Sequence, residues 1–473
     1  MNYRLPLIWM LILFAQLTHG QNYNAIHGSD YSGSLGVYNN PSSILSSPYR
    51  WDVTVVGLQF QTISNVIKGP NFPFSFFPNA TFYIANGNFK RYADVTADLH
   101  LLNARFALND NSAFAFGLNV RENTQAKTSS VNYTDSVKGP RSFLFLNEQN
   151  GKIDLDVAHS AWLELYGSYA RTIWDNETSR LNGGVTLKLM RGMSGGFATA
   201  NHVGVTSERD NDQTIYKITD GDIKYGFSAN HGNGESFNAS DLFSNNKVGM
   251  AFDLGVEYII KSQSVPSVYD EENSAEYDWK IGFSLLDLGW NTYEHSPSSR
   301  HASSLEDDVS SLVLQDKFSS TTGINSFNDS VATIVNNFTP LTGKFKVLNP
   351  FRAVVNIDKY VSGNIFVNGE LSVNLLPGGK NSYALKETKF LTVTPRWETR
   401  KLGFFMPVQL NRHGNFWIGG AVKAGPLLLG THNLLNVFSK NKFLGSGAYI
   451  ALTVRPFEMN RDRSGRQYEC PSY

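Results

Sequence analysis

One short motif in the sequence has the spacing of a catalytic serine. Residues 192–196, Gly-Met-Ser-Gly-Gly, fit Gly-x-Ser-x-Gly, in which a strand, a sharp turn and a helix present the serine for attack. The residues that follow, 197–201, show neither helical periodicity nor a helix cap. The sequence therefore favours a glycine-rich loop at the end of a strand. A lipid hydrolase acting through Ser194 ranks last among the functions considered.

Metal-binding patterns are absent from the sequence. The ten histidines are scattered, without the His-x-x-x-His or Cys/His spacing that gives a metal several ligands on one face. His159, close to Trp162 at the start of a predicted strand, is interpreted as a rim or lumen residue. The acidic run 270–272 lacks the spacing of a calcium loop. The sequence thus predicts no catalytic residue, no metal and no cofactor.

Apolar and polar side chains alternate along several segments of the chain. In one of them Phe106 and Phe116 share a parity, whereas Arg105 and Arg121 fall on the other. A period of two places successive side chains on opposite faces of a β-strand. If the apolar face meets lipid, the polar face lines an interior, where its charges either select a solute or only pair with one another. The candidate binding residues on the polar face are Arg105, Asn119, Arg121, Glu164 and Lys188, the last two on strands whose facing is ambiguous.

Thirteen segments are predicted to be strands. In a soluble sandwich their apolar parity would face a second sheet, whereas in a membrane barrel it faces lipid. The number of segments, the 40 glycines and the 13% of aromatic residues, many near strand ends, favour the barrel. The predicted strands are 51–62, 93–108, 113–122, 157–173, 181–191, 249–261, 277–288, 349–357, 361–374, 388–398, 401–410, 414–424 and 446–456.

The expected fold is all-β, a single transmembrane antiparallel β-barrel of about fourteen strands, with about twelve to sixteen allowed. Single-chain bacterial barrels normally have an even number of strands, so thirteen segments leave one strand unassigned. We expect that strand within 79–88 or 214–228.

Long polar insertions separate some of the strands and are expected to form loops at the barrel rims. They are residues 123–156, 192–248 and 289–345. The third is predicted to contain a short helix capped by Ser303, with Glu306 three residues further on. The pattern favours a helix packed on the surface over one that plugs the barrel.

The N-terminus has the features of a cleaved export signal. Arg4 precedes the apolar stretch 5–17, and Thr18 and Gly20 are the small residues before the predicted cleavage. The apolar run is shorter than the roughly 20 residues of a membrane-spanning helix. Lys plus Arg and Asp plus Glu are 41 each, which gives no overall field for nucleic acid. Cys470 is the single cysteine of the sequence, so no disulfide within the chain can stabilise the fold.

The chain resembles Bacteroidota-type outer-membrane barrels that form a family of unknown function, which are similar to FadL-type transporters of hydrophobic molecules. FadL-like proteins carry Asn-Pro-Ala in a hatch inside the barrel, and Asn40-Pro41-Ser42 is the match here, with Ser in place of Ala. The resemblance implies a hatch containing Asn40 and Pro41, although Asn-Pro is also a turn signal. The segments that carry the resemblance are GVYNNPS at 36–42, GVTLKLMRG at 184–192, FDLGVEY at 252–258, GFSLLDLG at 282–289, TPRWETR at 394–400 and GPLLLG at 425–430.

These observations divide the chain into four parts. They are a signal peptide at 1–20, an N-terminal segment and possible hatch at 21–50, an outer-membrane barrel at 51–457 and a polar C-terminal tail at 458–473. The expected surroundings are outer-membrane lipid and lipopolysaccharide. The leading hypothesis is a transporter or channel for hydrophobic or small solutes. The alternative is a scaffold that binds another envelope or secretion protein without transporting anything.

Overall fold

A computed structural model gives the fold. It describes residues 24–68, 83–210, 213–231, 247–262, 276–305, 309–375, 382–434 and 445–456. The predicted signal peptide and the predicted tail at 458–473 lie outside these residues. Within the part of the chain that the structure describes, no helix is both long and apolar enough to span a membrane.

Fourteen antiparallel strands form a closed barrel, as the alternation predicts. The wall closes because β1 pairs with β2 on one side and with the last strand, β14, on the other. The strands are β1 Trp51–Ser64, β2 Gly87–Asn109, β3 Ser112–Tyr133, β4 Lys152–Asp175, β5 Ser179–Asp210, β6 Val248–Lys261, β7 Tyr277–Glu294, β8 Arg352–Ser362, β9 Ile365–Asn374, β10 Lys389–Glu398, β11 Leu402–Phe405 continued by Val408–Asn411, β12 Phe416–Ile418 continued by Gly420–Ala424, β13 Leu427–Thr431 and β14 Ser446–Val454.

The position predicted for the fourteenth strand is wrong. The strand missing from the sequence reading is β13, Leu427–Thr431. It is only five residues long and nearly all apolar, so it shows no period-two pattern. Of the two expected positions, the described part of 79–88 holds the short strand Tyr83–Ile84 and the first two residues of β2, and Gln213–Phe227 is a strand outside the closed wall.

An apolar belt covers the outside of the wall. Its members are large hydrophobic side chains that stay exposed on the parity opposite to the buried polar residues, among them Leu165, Val185, Leu187, Phe252, Leu254, Phe283, Val355, Val393, Val422 and Ile450. Aromatic residues mark the end of the barrel that carries the short turns, including Trp174, Trp279 and Trp397. Such a belt with aromatic margins is the lipid-facing surface of a membrane-spanning barrel.

The opposite end of the barrel carries the long insertions, which are more structured than loops. β3 continues to Tyr133 and β5 to Asp210, because a strand that extends beyond lipid no longer needs apolar alternation. The C-terminal half of β5 pairs with the strand Gln213–Phe227. That strand pairs with Arg300–Leu305, and Arg300–Leu305 pairs with Val335–Pro340. We call this set of paired strands outside the closed wall the outer sheet.

Three helices pack on this outer sheet, namely α1 Pro140–Asn147, α2 Ser311–Phe318 and α3 Ile324–Ala332. Leu144, Leu314 and Val331 join Tyr216 in their shared core. The predicted helix cap is wrong, because Ser303 lies in a strand and α2 is capped by Ser310. Shorter elements are Asn24–Ile26, Gly33–Tyr38, Pro41–Leu45, Ile67–Lys68, Glu148–Asn150, Ala229–His231, Lys344–Leu348 and Ser382–Ala384.

Candidate functional site

Residues 24–50, here called the plug, lie inside the barrel. The plug is built of three 3-10 helices, Asn24–Ile26, Gly33–Tyr38 and Pro41–Leu45, and most of its residues are buried. An eight-stranded barrel is just filled by its own side chains, whereas fourteen strands leave a wider interior that something else must occupy. Between plug and wall lies a cavity of about 20 Å³, which is room for about one water molecule.

Asn40 and Pro41 lie at the seat of the plug against the wall. The Asn40 side chain accepts from the Ser42 backbone N–H at 3.0 Å, capping the helix that Pro41 begins, and donates to the Val256 carbonyl of β6 at 3.0 Å. The wall admits this close approach because it has no side chain there. A Cβ on Gly184 would lie 2.5 Å from the Pro41 backbone, and one on Gly255 would lie 2.0 Å from Asn40 Oδ1.

A buried set of charges connects distant strands of the wall, and we call it the Asp287 cluster. The Asp287 carboxylate receives Arg121 at 2.8 Å, Lys188 at 2.6 Å and Arg352 at 2.7 Å. Arg121 also contacts Asp98 at 3.1 Å and Glu164 at 3.3 Å. The members of the cluster are Asp98, Arg121, Glu164, Lys188, Asp253, Asp287 and Arg352, and all of them are buried.

Asp287 reaches its partners because the backbone of β7 is irregular there. The register with β6 shifts between Leu285 and Leu288, and Asp287 has a left-handed φ of 62°. Aspartate and asparagine tolerate this conformation better than other non-glycine residues. A bulge re-aims a side chain, which here turns the carboxylate into the lumen.

A second buried set of charges holds the plug, and we call it the Glu398 cluster. Its ion pairs within the wall join Arg396 to Asp358 at 2.5 Å, Lys389 to Glu370 at 2.5 Å and Lys423 to Glu398 at 2.7 Å. Three contacts then reach the plug. His27 Nδ1 lies 2.7 Å from Glu370, the Ser29 hydroxyl donates to Glu398 at 2.6 Å, and Arg396 donates to the Gly28 carbonyl at 3.4 Å.

The plug contains a histidine and an aspartate whose pKa values are shifted in opposite directions. Burial lowers the pKa of His27, and the nearby Glu370 carboxylate only partly opposes this. Burial raises the pKa of Asp30 to about 6, although Lys280 lies 2.5 Å away and acts in the opposite direction. The Asp30 side chain is still 29% exposed, so it can exchange protons with water.

The structure brings together four of the five wall residues proposed from the sequence. Asn119, Arg121, Glu164 and Lys188 all face inward and lie in or beside the Asp287 cluster, with Asn119 Nδ2 at 3.5 Å from Glu164. Arg105 stands apart and binds the plug, because it donates to the carbonyl oxygens of Ile44 at 2.6 Å and Tyr49 at 2.7 Å. Glu164 and Lys188, ambiguous in the sequence, therefore face the lumen.

Other members of both clusters were not found from the sequence. On β2 the even-numbered residues Asp98 and His100 face inward. Further along the same strand it is the odd-numbered residues Asn103 and Arg105 that face inward. A register shift between His100 and Leu102 reverses the alternation, leaving Leu101 and Leu102 both exposed. A pair of adjacent leucines inside an alternating strand is the signal that would have located this bulge. The other missed residues include Asp253, Asp287, Arg352, Asp358, Glu370, Lys389, Arg396, Glu398 and Lys423.

Ser194 is not on a nucleophile elbow, and the glycine-rich loop predicted around it is also wrong. Residues 192–196 lie within β5, and no helix follows them. His159, predicted at the rim or in the lumen, faces outward, because its neighbours Ala158 and Ser160 are buried inside. No group of three or more His, Cys, Asp or Glu side chains suited to a metal occurs among the described residues.

A closed wall with an apolar belt outside and a plug inside defines a membrane-spanning β-barrel of the outer-membrane type. Residues 45–432 match DUF5723, a family of unknown function, and the chain belongs to that family. No curated protein matches it.

Several solved outer-membrane barrels are similar to the chain. The toluene transporter TbuX of Ralstonia pickettii has 12% identity and a TM-score of 0.41, over 93% of this chain and 98% of its own. A FadL homologue of Pseudomonas aeruginosa has 9% identity and a TM-score of 0.38, over 92% and 97%. The translocator domain of the autotransporter NalP from Neisseria meningitidis has 9% identity and a TM-score of 0.27, over 86% of this chain and 88% of its own. These similarities are too low to transfer a function.

Proposed function

We propose that this protein is a gated transport barrel of the outer membrane, in which the plug must shift before a solute can pass. The observation that carries the proposal is the way the plug is held. Many of its contacts to the wall are ion pairs and hydrogen bonds, as at His27, Ser29 and Asp30, and they lie beside two apolar clusters that plug and wall share. Hydrogen bonds to charged groups such as these can be exchanged for bonds to water at a net cost of about 1.5–3 kcal/mol each. A plug held in this way is displaceable.

The lining of the lumen favours a small solute. Wall residues that face inward are mostly polar or charged, as in the Asp287 and Glu398 clusters. A passage opened by movement of the plug would therefore be hydrated and lined by both positive and negative side chains. Hydrophobic cargo, which the resemblance to FadL-type proteins implies, is the second candidate within the same function.

A non-transporting scaffold is the competing function, and the outer sheet favours it. Phe145 is 59% exposed and Leu312 is 54% exposed on α1 and α2, so this end offers apolar side chains to a protein partner. A scaffold has no need for a displaceable plug, whereas a transporter does.

Planar-bilayer conductance separates the two functions. We expect the intact protein without residues 1–20 to show rare openings, and a variant lacking residues 24–48 as well to conduct continuously. Uptake of a charged fluorescent solute into liposomes should rise in parallel. A plug-deleted barrel that folds, migrates as a heat-modifiable band and still does not conduct would overturn the transport proposal and favour the scaffold.

A further inference from the structure

Four polar side chains form a chain of hydrogen bonds on the outside of the barrel, far from the plug. Ser194 Oγ lies 3.0 Å from His159 Nε2, and His159 Nδ1 lies 2.7 Å from Thr124 Oγ1. Thr124 Oγ1 in turn donates to Glu122 Oε1 at 2.8 Å. These residues come from three adjacent strands, β5, β4 and β3, and we call them the outer serine cluster.

A bulge in β5 turns Ser194 toward the outside. The register with β4 passes from Gly192 to Ser194 without a partner for Met193. A Cβ on Gly192 or on Gly195 would collide with the buried ring of Tyr293, so both of these positions face the lumen. Regular alternation would have given Ser194 the inward facing of Gly192. The bulge instead places its hydroxyl on the outer face beside His159, and bulges commonly re-aim side chains in this way.

The bond from Thr124 to Glu122 favours one tautomer of His159. A threonine hydroxyl has one proton, and that of Thr124 goes to the Glu122 carboxylate. Thr124 Oγ1 can therefore only accept from His159, which requires a proton on Nδ1. In the neutral ring Nε2 is then an acceptor, facing the Ser194 hydroxyl. The order is hydroxyl, imidazole and then, through Thr124, a carboxylate, which is similar to the arrangement that activates a serine for nucleophilic attack, with Thr124 inserted between imidazole and carboxylate.

We propose that the outer serine cluster is an acyl-transfer site that hydrolyses ester bonds of lipids in the adjoining leaflet. Ser194 Oγ attacks the ester carbonyl carbon while its proton moves to His159 Nε2. The carbon–alkoxide bond breaks, the leaving oxygen takes that proton, and the acyl group remains on Ser194. Water then attacks the acyl ester, gives its proton to Nε2, and a carboxylic acid leaves as the Ser194 hydroxyl is restored. Thr124 and Glu122 are positioning residues.

The depth of the cluster identifies the substrate class. On β5 the exposed apolar residues Leu187 and Leu189 precede Arg191, which is itself exposed. An outward arginine costs about 2–4 kcal/mol at the bilayer midplane but about 0–1 near its margin, so Arg191 marks the edge of the belt. Ser194 lies two register pairs beyond it, opposite Ala161, which is the next pair on the outer face. Ester groups of lipids lie at this depth, and the guanidinium of Arg191 suits a lipid phosphate.

The cluster is accessible from the membrane side. The His159 side chain is 27% exposed and that of Glu122 is 31% exposed, so neither is enclosed by the wall. A substrate acyl chain could lie along the apolar belt while its ester meets Ser194. This activity is independent of the plug and of the proposed transport function.

Covalent labelling tests the nucleophile directly. The purified barrel, in phospholipid–detergent micelles, is treated with a fluorophosphonate and assayed with a p-nitrophenyl ester and a fluorescent phospholipid. We expect an adduct on the Ser194 peptide and ester hydrolysis, with both lost at least 100-fold in Ser194→Ala and in His159→Gln. Ser207→Ala is the matched control, because Ser207 lies on the same strand and its hydroxyl bonds Glu148 rather than an imidazole.

The positioning residues need a different readout. Glu122→Gln removes the carboxylate that orients the Thr124 hydroxyl, so it should lower kcat with little change in KM. Thr124→Val should lower kcat about 10- to 100-fold with little change in KM, since it leaves Nδ1 without its acceptor. Absence of both the adduct and hydrolysis in a wild-type barrel that migrates as folded would overturn the proposal. So would activity that persists in Ser194→Ala.

Discussion

The Asp287 cluster and the Glu398 cluster contain the same kinds of residues but do different work. In the first, cations of β3, β5 and β8 meet one carboxylate of β7, so nearly all contacts join wall to wall. In the second, strands one or two apart in the sheet pair their charges, and the carboxylates also bond His27 and Ser29 of the plug. We infer that the first cluster holds the barrel closed and that the second sets how firmly the plug is seated.

The largest effect should come from Asp287→Asn. Asparagine tolerates the same left-handed backbone, so the substitution removes the charge without straining the bulge. Three buried cations then lose their shared counter-charge, and removing one partner of a buried pair costs about 3–5 kcal/mol. We expect the free energy of unfolding in urea to fall by about that amount.

The control for this prediction is Asp156→Asn at the exposed pair with Lys127, whose side chains are 49% and 62% exposed. It should change the free energy of unfolding by less than about 1 kcal/mol. Equal effects of the two substitutions would remove the distinction between the Asp287 cluster and an ordinary surface pair.

A smaller effect is expected from Ser29→Ala, and on a different quantity. The lost bond joins a hydroxyl to the buried Glu398 carboxylate, and bonds to charged groups contribute about 1.5–3 kcal/mol. Open probability in planar bilayers should rise about 10- to 100-fold while the urea midpoint of the wall stays within error. Ser43→Ala is the control, because the Ser43 hydroxyl has no hydrogen-bond partner among the described residues. A fall in wall stability without a change in gating would contradict the role given to the Glu398 cluster.

The seat of the plug can be disturbed without altering any charge. In Gly184→Ala the added methyl meets the Pro41 backbone at 2.5 Å, and overpacking of this kind costs about 1–3 kcal/mol. We expect more frequent openings, again by conductance. At Gly167 a Cβ would have its nearest neighbour at 3.9 Å, so Gly167→Ala should match the wild type. Unchanged gating in Gly184→Ala would show that the close approach at Pro41 does not hold the plug.

The smallest effect is a dependence of gating on pH, because two plug residues oppose each other. Asp30 has a raised pKa of about 6 in the seated plug, so seating is favoured at low pH and this contribution is lost as pH rises through 6. His27 has a lowered pKa when seated, so its contribution is lost as pH falls below the ordinary value of 6.5.

Single substitutions separate the two contributions. Between pH 7.5 and pH 5, His27→Gln should open less as the pH falls, whereas Asp30→Asn should open more. Conductance recorded at matched salt measures both. The same direction of change in both variants would contradict these assignments.

Much of the wall was predictable from the sequence because lipid enforces a simple rule on one face. Phe106 and Phe116 are exposed as expected, and Arg105 and Arg121 are buried. The rule fails for residues that lie outside the lipid-facing belt. Residues 123–133 and 192–210 continue as strands beyond the belt, although their polar sequences predicted loops. The prediction missed β13 for the opposite reason, since a segment that is almost uniformly apolar has no alternation to detect.

The inner face was less predictable because its partners are distant in sequence. Asp287 lies 166 residues from Arg121 and 99 from Lys188, and no local pattern joins them. Bulges add a second difficulty, since each one reverses the parity on which facing was inferred, as at His100 and at Ser194. Asn40 and Pro41 were identified as a possible hatch from the resemblance. Their position against Gly184 and Gly255, however, depends on three-dimensional closure.

The left-handed bulge at Asp287 also bears on the order of assembly. Its three cationic partners belong to strands that are not neighbours of one another in the sheet, so they converge only after the sheet has curved into a cylinder. A half-inserted, open sheet would expose those charges one by one to hydrocarbon. Curling and insertion should therefore be a single concerted event, with trapped intermediates showing their arginines and lysines still hydrated.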